Sequence, residues 1–158
     1  MPSIIKAYTA WSANETADKA LIIYDTMWNS TKKLAFAISR SFENRGISAQ
    51  LMSLQTNHIS DILTELIDTQ YICVGSPTLN NNMLPTVAAF LTYMKGLAPK
   101  NRTGLAFGSY GWGGQSVGQI EEVLKSCGFA VMENIRVKYI PDDEVLKNIT
   151  QKLEKEIQ

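Results

Sequence analysis

Hydroxyl and amide side chains crowd the stretch Tyr24-Asp25-Thr26-Met27-Trp28-Asn29-Ser30-Thr31, which joins an apolar strand-like run to a helix-like one and has no Lys or Arg. A strand that passes into a helix through such a loop leaves the first backbone N–H groups of the helix without carbonyl partners, at the positive end of its dipole. Hydroxyls of Thr26, Ser30 and Thr31 can add donors at the same spot, so a phosphate could be held there without any cationic side chain. The same residue types also serve an ordinary N-cap and turn, and the loop alone does not choose between the two.

Two more loops share this character. Gly75-Ser76-Pro77-Thr78-Leu79-Asn80-Asn81-Asn82 follows one apolar run, and Gly108-Ser109-Tyr110-Gly111-Trp112-Gly113-Gly114-Gln115 follows another. No charged residue occurs from Thr69 to Met94 or from Thr103 to Ile120. Loops that avoid charge but keep Asn, Ser, Gly and aromatic residues suit a flat, heteroaromatic, hydrogen-bonding ligand. Glycines let backbone groups approach such a ligand, Tyr110 and Trp112 offer stacking faces, and Leu79 offers an apolar contact from the opposite side. Each feature has a structural alternative: Ser-Pro-Thr is a common turn, a lone Trp can serve a core, and the Asn80 to Asn82 run can cap a helix. Those alternatives do not explain why all three loops follow strands.

The strands that would position them are short β-rich runs at 20–24, 48–54, 71–75, 104–108 and 130–138. Helical spacing lies between them, with Leu34, Ile38 and Phe42 on one face, then Val87, Phe90, Leu91 and Met94, then Val117, Ile120, Leu124 and Cys127. Pro85 fits a first helical turn, and Gly46, Gly96 and Gly128 stand where helices should stop. A last helix is expected from about Asp142 to the C-terminus. Five strands alternating with helices predict a doubly wound parallel α/β domain over 19–158, in which the first, third and fourth strands are central. Ligands of such sheets bind at the carboxyl ends of the strands, where the three loops fall. A lead-in at 1–18, with an apolar stripe of Ile4, Ile5, Tyr8 and Trp11, precedes the first strand and is read as packing on the domain surface or as a linker from something upstream.

Composition narrows the function. A chain of 158 residues is one domain by size, and 15 basic residues balance 15 acidic ones, with no Lys/Arg cluster to suggest nucleic acid. Apolar runs are strand-sized, so no membrane span is expected, and the start lacks a signal-peptide pattern; a cytoplasmic location follows by default. The two cysteines, Cys73 and Cys127, form no C-x-x-C pair and read as buried reduced thiols, and the single histidine, His58, reads as a surface or capping residue. One histidine without clustered carboxylates or thiolates makes no ordinary zinc or iron site, so no metal is expected in this chain. No general base or nucleophile is paired with a partner, and Asp25 reads as a loop anchor; no catalytic residue is assigned.

The wording of the three loops resembles the flavodoxin-like family and, within it, the flavodoxin domain of flavodiiron proteins (A-type flavoproteins). Y-D-T-M-W-N-S-T looks like the family's phosphate loop, G-S-P-T-L-N-N-N-M-L-P like its second flavin loop and F-G-S-Y-G-W-G-G like its third. The resemblance covers about 20–141 and implies a flavodoxin-like three-layer sandwich with a five-stranded parallel sheet in the order 2-1-3-4-5. It implies one non-covalent FMN. Thr26, Met27, Trp28, Asn29, Ser30 and Thr31 would hold the phosphate. The isoalloxazine would lie between Ser76, Pro77, Thr78, Leu79, Asn80 and Asn81 on one side and Ser109, Tyr110, Gly111, Trp112, Gly113 and Gly114 on the other.

In intact members of the family, electrons pass from a flavin reductase domain or partner through FMN to a diiron centre in a metallo-β-lactamase-like domain, which reduces oxygen to water or nitric oxide to nitrous oxide. The lead-in looks like the segment that joins the two domains, and the diflavin flavoproteins are a plausible home for it. The chain is therefore expected to be a domain of a longer protein, with the Met1-Pro2 start read as an edge. Asn29 departs from the Gly of many members and puts the backbone geometry of the loop in question. A cleft without positive charge should disfavour the anionic reduced flavin and lower its potential. Rival readings are a freestanding NAD(P)H-dependent quinone or azo reductase, a non-redox module of the same fold, and a receiver domain. The last needs an Asp where the chain has Gly75-Ser76.

Overall fold

The computed structural model describes residues 2–13 and 15–157; Met1 and Asn14 of the lead-in and Gln158 at the end of the expected last helix lie outside them. Strands β1 (Ala17–Tyr24), β2 (Ser48–Ser53), β3 (Thr69–Gly75), β4 (Thr103–Tyr110), β5 (Ala130–Val131) and β6 (Ile135–Lys138) form one sheet in the order β2-β1-β3-β4-β5, with β6 also paired to β4. Every pairing is parallel, with Ile22 of β1 beside Leu51 of β2 and Cys73 of β3. The expected order therefore holds. The expected fifth strand, however, is two pieces interrupted at Met132, Glu133 and Asn134. Met132 N still donates to Gly104 O at 2.8 Å, but the Asn134 side-chain amide donates to the carboxylate of Glu121, so the chain leaves the ladder for a polar contact with the next layer.

Alternation along the central strands builds a core on each face of the sheet. Leu21, Ile23, Ile72, Val74 and Ala106 meet α3 (Ile59–Leu66), α4 (Pro85–Leu97) and α5 (Gln115–Ser126) through Ile62, Phe90, Met94, Ile120 and Leu124. Ala20, Ile22, Tyr24, Cys73, Leu105 and Phe107 meet α2 (Ser30–Asn44) and α6 (Asp143–Glu156) through Leu34, Ile38, Phe42 and Leu153. Both faces being covered explains why these strands read as unbroken apolar runs.

Helix punctuation follows the sequence except at one glycine. Pro85 opens α4, and Gly46 and Gly128 follow α2 and α5 with φ of 76° and 81°. Gly96 instead lies inside α4, which runs on to Leu97; Ala98 turns the chain off at φ 50°, just before Pro99, which has no N–H to continue a helix. His58 caps α3, its ring nitrogen accepting from Ser60 N. Cys73 is buried, and burial pushes its thiol well above the ordinary range, whereas Cys127 is only half-buried; both are free. The lead-in forms helix α1 (Pro2–Ser12), whose Ile4, Ile5, Tyr8 and Trp11 are exposed, with Tyr8 and Trp11 in edge contact at 5.3 Å.

Candidate cofactor site

The loop after β1 is fixed from below by Asp25. Its backbone N donates to Gly75 O at 3.2 Å, one carboxylate oxygen accepts from Thr26 N at 2.7 Å, and the other accepts from the Thr86 hydroxyl of α4. The expected anchoring role of Asp25 is thus its observed one. Gln55 Nε2 donates to Thr26 O at 2.7 Å. The hydroxyl of Thr26, a residue only 9% exposed, is buried and has no hydrogen-bond partner among the described residues. Leaving a buried hydroxyl unsatisfied costs about 1–3 kcal/mol, which a ligand acceptor would recover.

Asn29 adopts the left-handed conformation (φ 64°, ψ 2°) that glycine takes without cost and asparagine tolerates better than most residues. Its replacement of Gly therefore leaves the turn feasible. Helix α2 then starts at Ser30 with no side-chain cap and no acidic residue in its first turn, so its leading N–H groups keep their donor capacity for something else. Ser30 stays beside this opening, whereas Thr31 is fully buried and shares a hydrogen bond with Ser109 at 3.0 Å, tying α2 to the end of β4.

The second loop is held by hydroxyls turned into the protein. Ser76 Oγ donates to Pro77 O and accepts from Leu84 N, and its carbonyl accepts from Ser116 Oγ. Thr78 N donates to Ser109 O at 3.1 Å, and the Thr78 hydroxyl pairs with that of Ser116 at 2.8 Å. Leu79 and Asn82 exchange backbone hydrogen bonds of 2.8 and 2.9 Å around Asn80 and Asn81, at φ 50° and 63°. That is the geometry of a two-residue type I′ hairpin. The asparagine run builds this turn; the N-cap position of α4 is Leu84. In the third loop Gly108 is obligatory, because a Cβ there would stand 2.1 Å from Ser76 O.

These elements enclose an apolar cleft of about 310 Å³. The first loop contributes Met27, Trp28 and Ser30, the second Pro77 and Thr78, and the third Ser109, Tyr110 and Gly111. Among the described residues, no charged side chain lines it. Thr26, Asn29, Leu79, Asn80, Asn81, Trp112, Gly113 and Gly114 lie outside the lining, with Trp112 100% exposed. Thr31 and Ser76 direct their hydroxyls to protein partners. A fourth contribution, Tyr139 and Ile140 after β6, was not anticipated from the sequence. Its available signal was an aromatic–aliphatic pair just before Pro141, at yet another strand carboxyl end. A phosphate ester at the open end of α2, with a flat ring in the neighbouring cleft, fits the orphaned hydroxyl, the uncapped helix and the neutral lining together.

The sequence model of the flavodoxin family matches residues 22–151. The chain is 40% identical over 151 residues to the rubredoxin-oxygen oxidoreductase of Megalodesulfovibrio gigas, covering 93% of this chain and 38% of that protein. It is 40% identical over 146 residues to the nitric oxide reductase of Moorella thermoacetica, covering 91% of this chain and 37% of that one. The crystal structure of the flavodiiron protein from Giardia intestinalis superposes with a TM-score of 0.93 at 28% identity, over 98% of this chain and 39% of that one. The chain thus spans under two-fifths of the length of these three proteins.

Proposed function

The chain belongs to the flavodoxin family, a family of FMN-binding domains, and from that premise we propose that it is the electron-transferring flavin domain of a flavodiiron-type oxidoreductase. The observation that carries this reading is the orphaned Thr26 hydroxyl in the loop that leads to the uncapped start of α2, one residue before the uncharged cleft lining begins at Met27. The leading N–H groups of α2, with the hydroxyls of Thr26 and Ser30, donate to the FMN phosphate. Asp25 holds that loop without touching the phosphate. Pro77 and Thr78 on one side and Tyr110 and Gly111 on the other keep the ring in place and water off it. When bound, FMN supplies the ability to take up electrons in pairs and pass them on singly.

Electrons come from an NAD(P)H-linked reductase, as a partner or an attached domain, and go to a diiron centre in a metallo-β-lactamase-like domain that reduces oxygen to water or nitric oxide to nitrous oxide. Relatives named for each acceptor support both outcomes, and the acceptor is decided outside this chain. The exposed apolar stripe of α1 supports attachment to such a domain. Among the described residues no helix is long and apolar enough to cross a membrane, and a cytoplasmic location suits an NAD(P)H-linked donor. Because no cation lines the cleft, it gives no electrostatic support to the extra negative charge of reduced FMN, so the potential should stay at or below that of free FMN. A redox titration giving a value well above free FMN would refute that part.

Reconstitution tests the whole reading. The purified chain titrated with FMN should quench flavin fluorescence and alter the visible spectrum at low concentration, and riboflavin, lacking the phosphate, should bind far more weakly. Equal affinity for both would remove the phosphate loop from the proposal, and no binding of either would favour a non-redox module of the same fold.

A further inference from the structure

We infer that the turn after β6 is a fourth wall of the cofactor site and that the ring of Tyr139 packs against the flavin ring; this rests on the FMN reading above. Tyr139 has φ 61°, a conformation that is a true outlier for a bulky aromatic residue. Strain of this kind persists only where surrounding structure enforces it, and it gathers at ligand sites. The enforcement is visible: Tyr139 N donates to Tyr110 O at 2.7 Å, one step beyond the Tyr110–Lys138 register of β4 and β6. Tyr110 and Gly111 line the same cleft, so the turn is tied directly to the third loop.

The ring itself has little protein to justify its position. Tyr139 is 61% exposed and Ile140 64% exposed, although both line the apolar cleft. The ammonium of Lys138 stands 5.1 Å from the ring centroid and steadies it by a cation–π contact. A strained residue that presents a large ring to a cavity is explained by a ligand that completes its packing.

The test uses the whole chain, with Tyr139→Gly and Tyr139→Phe, FMN and riboflavin titrations, and the melting temperature without cofactor. Glycine accepts φ 61° without strain and keeps the N–H bond to Tyr110, so Tyr139→Gly should keep or raise the melting temperature. It should weaken FMN and riboflavin by the same factor, roughly tenfold, as loss of a ring–ring contact does. Tyr139→Phe, which retains the ring, should bind both as the unaltered chain does. Unchanged binding in Tyr139→Gly, a loss confined to FMN, or a lowered melting temperature would each overturn the inference while leaving the FMN reading in place. An unaltered chain that binds neither flavin would overturn the FMN reading itself and this inference with it.

Discussion

Helices α2 and α6 pack against each other on one face of the sheet, yet they begin in opposite ways. At α6, Asp142 accepts a hydrogen bond from Val145 N at 2.8 Å, and Asp143 and Glu144 place negative charge in the first turn. That end is satisfied by its own sequence, both in hydrogen bonds and against the dipole. At α2, Asn29 gives no side-chain cap, the first turn holds no acid, and Lys32 and Lys33 add charge of the unfavourable sign for a bare helix start. The buried Thr26 hydroxyl beside it also has no partner among the described residues. The contrast teaches that the missing interactions at α2 are local and of one chemistry, donors without acceptors, while the neighbouring helix shows that this fold can finish an end from its own sequence.

The contrast breaks first at Thr26. Thr26→Val keeps the shape and removes the orphan, so the cofactor-free chain should gain about 1 kcal/mol in denaturant unfolding. FMN affinity should fall by about 2 kcal/mol, roughly thirtyfold, with riboflavin unchanged. Equal loss of both flavins would show that the hydroxyl does not meet the phosphate. Next in size, Asp142→Ala should cost about 1 kcal/mol of stability through the lost cap and leave both flavin titrations as they were. An affinity change there would mean that the start of α6 also belongs to the site. The smallest effect sharpens the comparison by giving α2 what α6 already has. Asn29→Asp tolerates the same backbone and should add about 0.5 kcal/mol to the cofactor-free chain, while weakening FMN severalfold by repulsion. A variant with FMN affinity equal to the unaltered chain would separate residue 29 from the phosphate.

Much of this arrangement was legible. Apolar runs located β1, β3 and β4 because central strands covered on both faces tolerate little else, and Asp142 with its following acids marked the start of α6. The three loops stood out because each follows a strand, carries hydroxyl, amide or glycine residues and holds no Lys or Arg. Residue type alone could not sort their hydroxyls. Thr26, Thr31 and Ser76 look alike in sequence, yet two bond to protein and one is left over, and that division depends on where β4 brings Ser109 and where the chain folds Pro77 O and Leu84 N back onto Ser76. The interruption before β6 was hidden because its cause, Glu121, lies on α5. Tyr139 was missed because positive φ is usually read from Gly or Asn, and a strained tyrosine leaves no mark in composition.

A phosphate held at the open start of α2, as proposed, would also join the folding equilibrium of this chain to the supply of its cofactor. Anything that binds the native state alone deepens its well by mass action, by about 2.7 kcal/mol when free ligand stands at a hundred times its Kd. A shortage of FMN would then lower the amount of chain as well as its activity, because the unfolded fraction is what proteases remove. Digestion of the chain at fixed protease, with FMN and then with riboflavin, reads this directly: its lifetime should lengthen with FMN far more than with riboflavin, and equal lifetimes would uncouple the two equilibria.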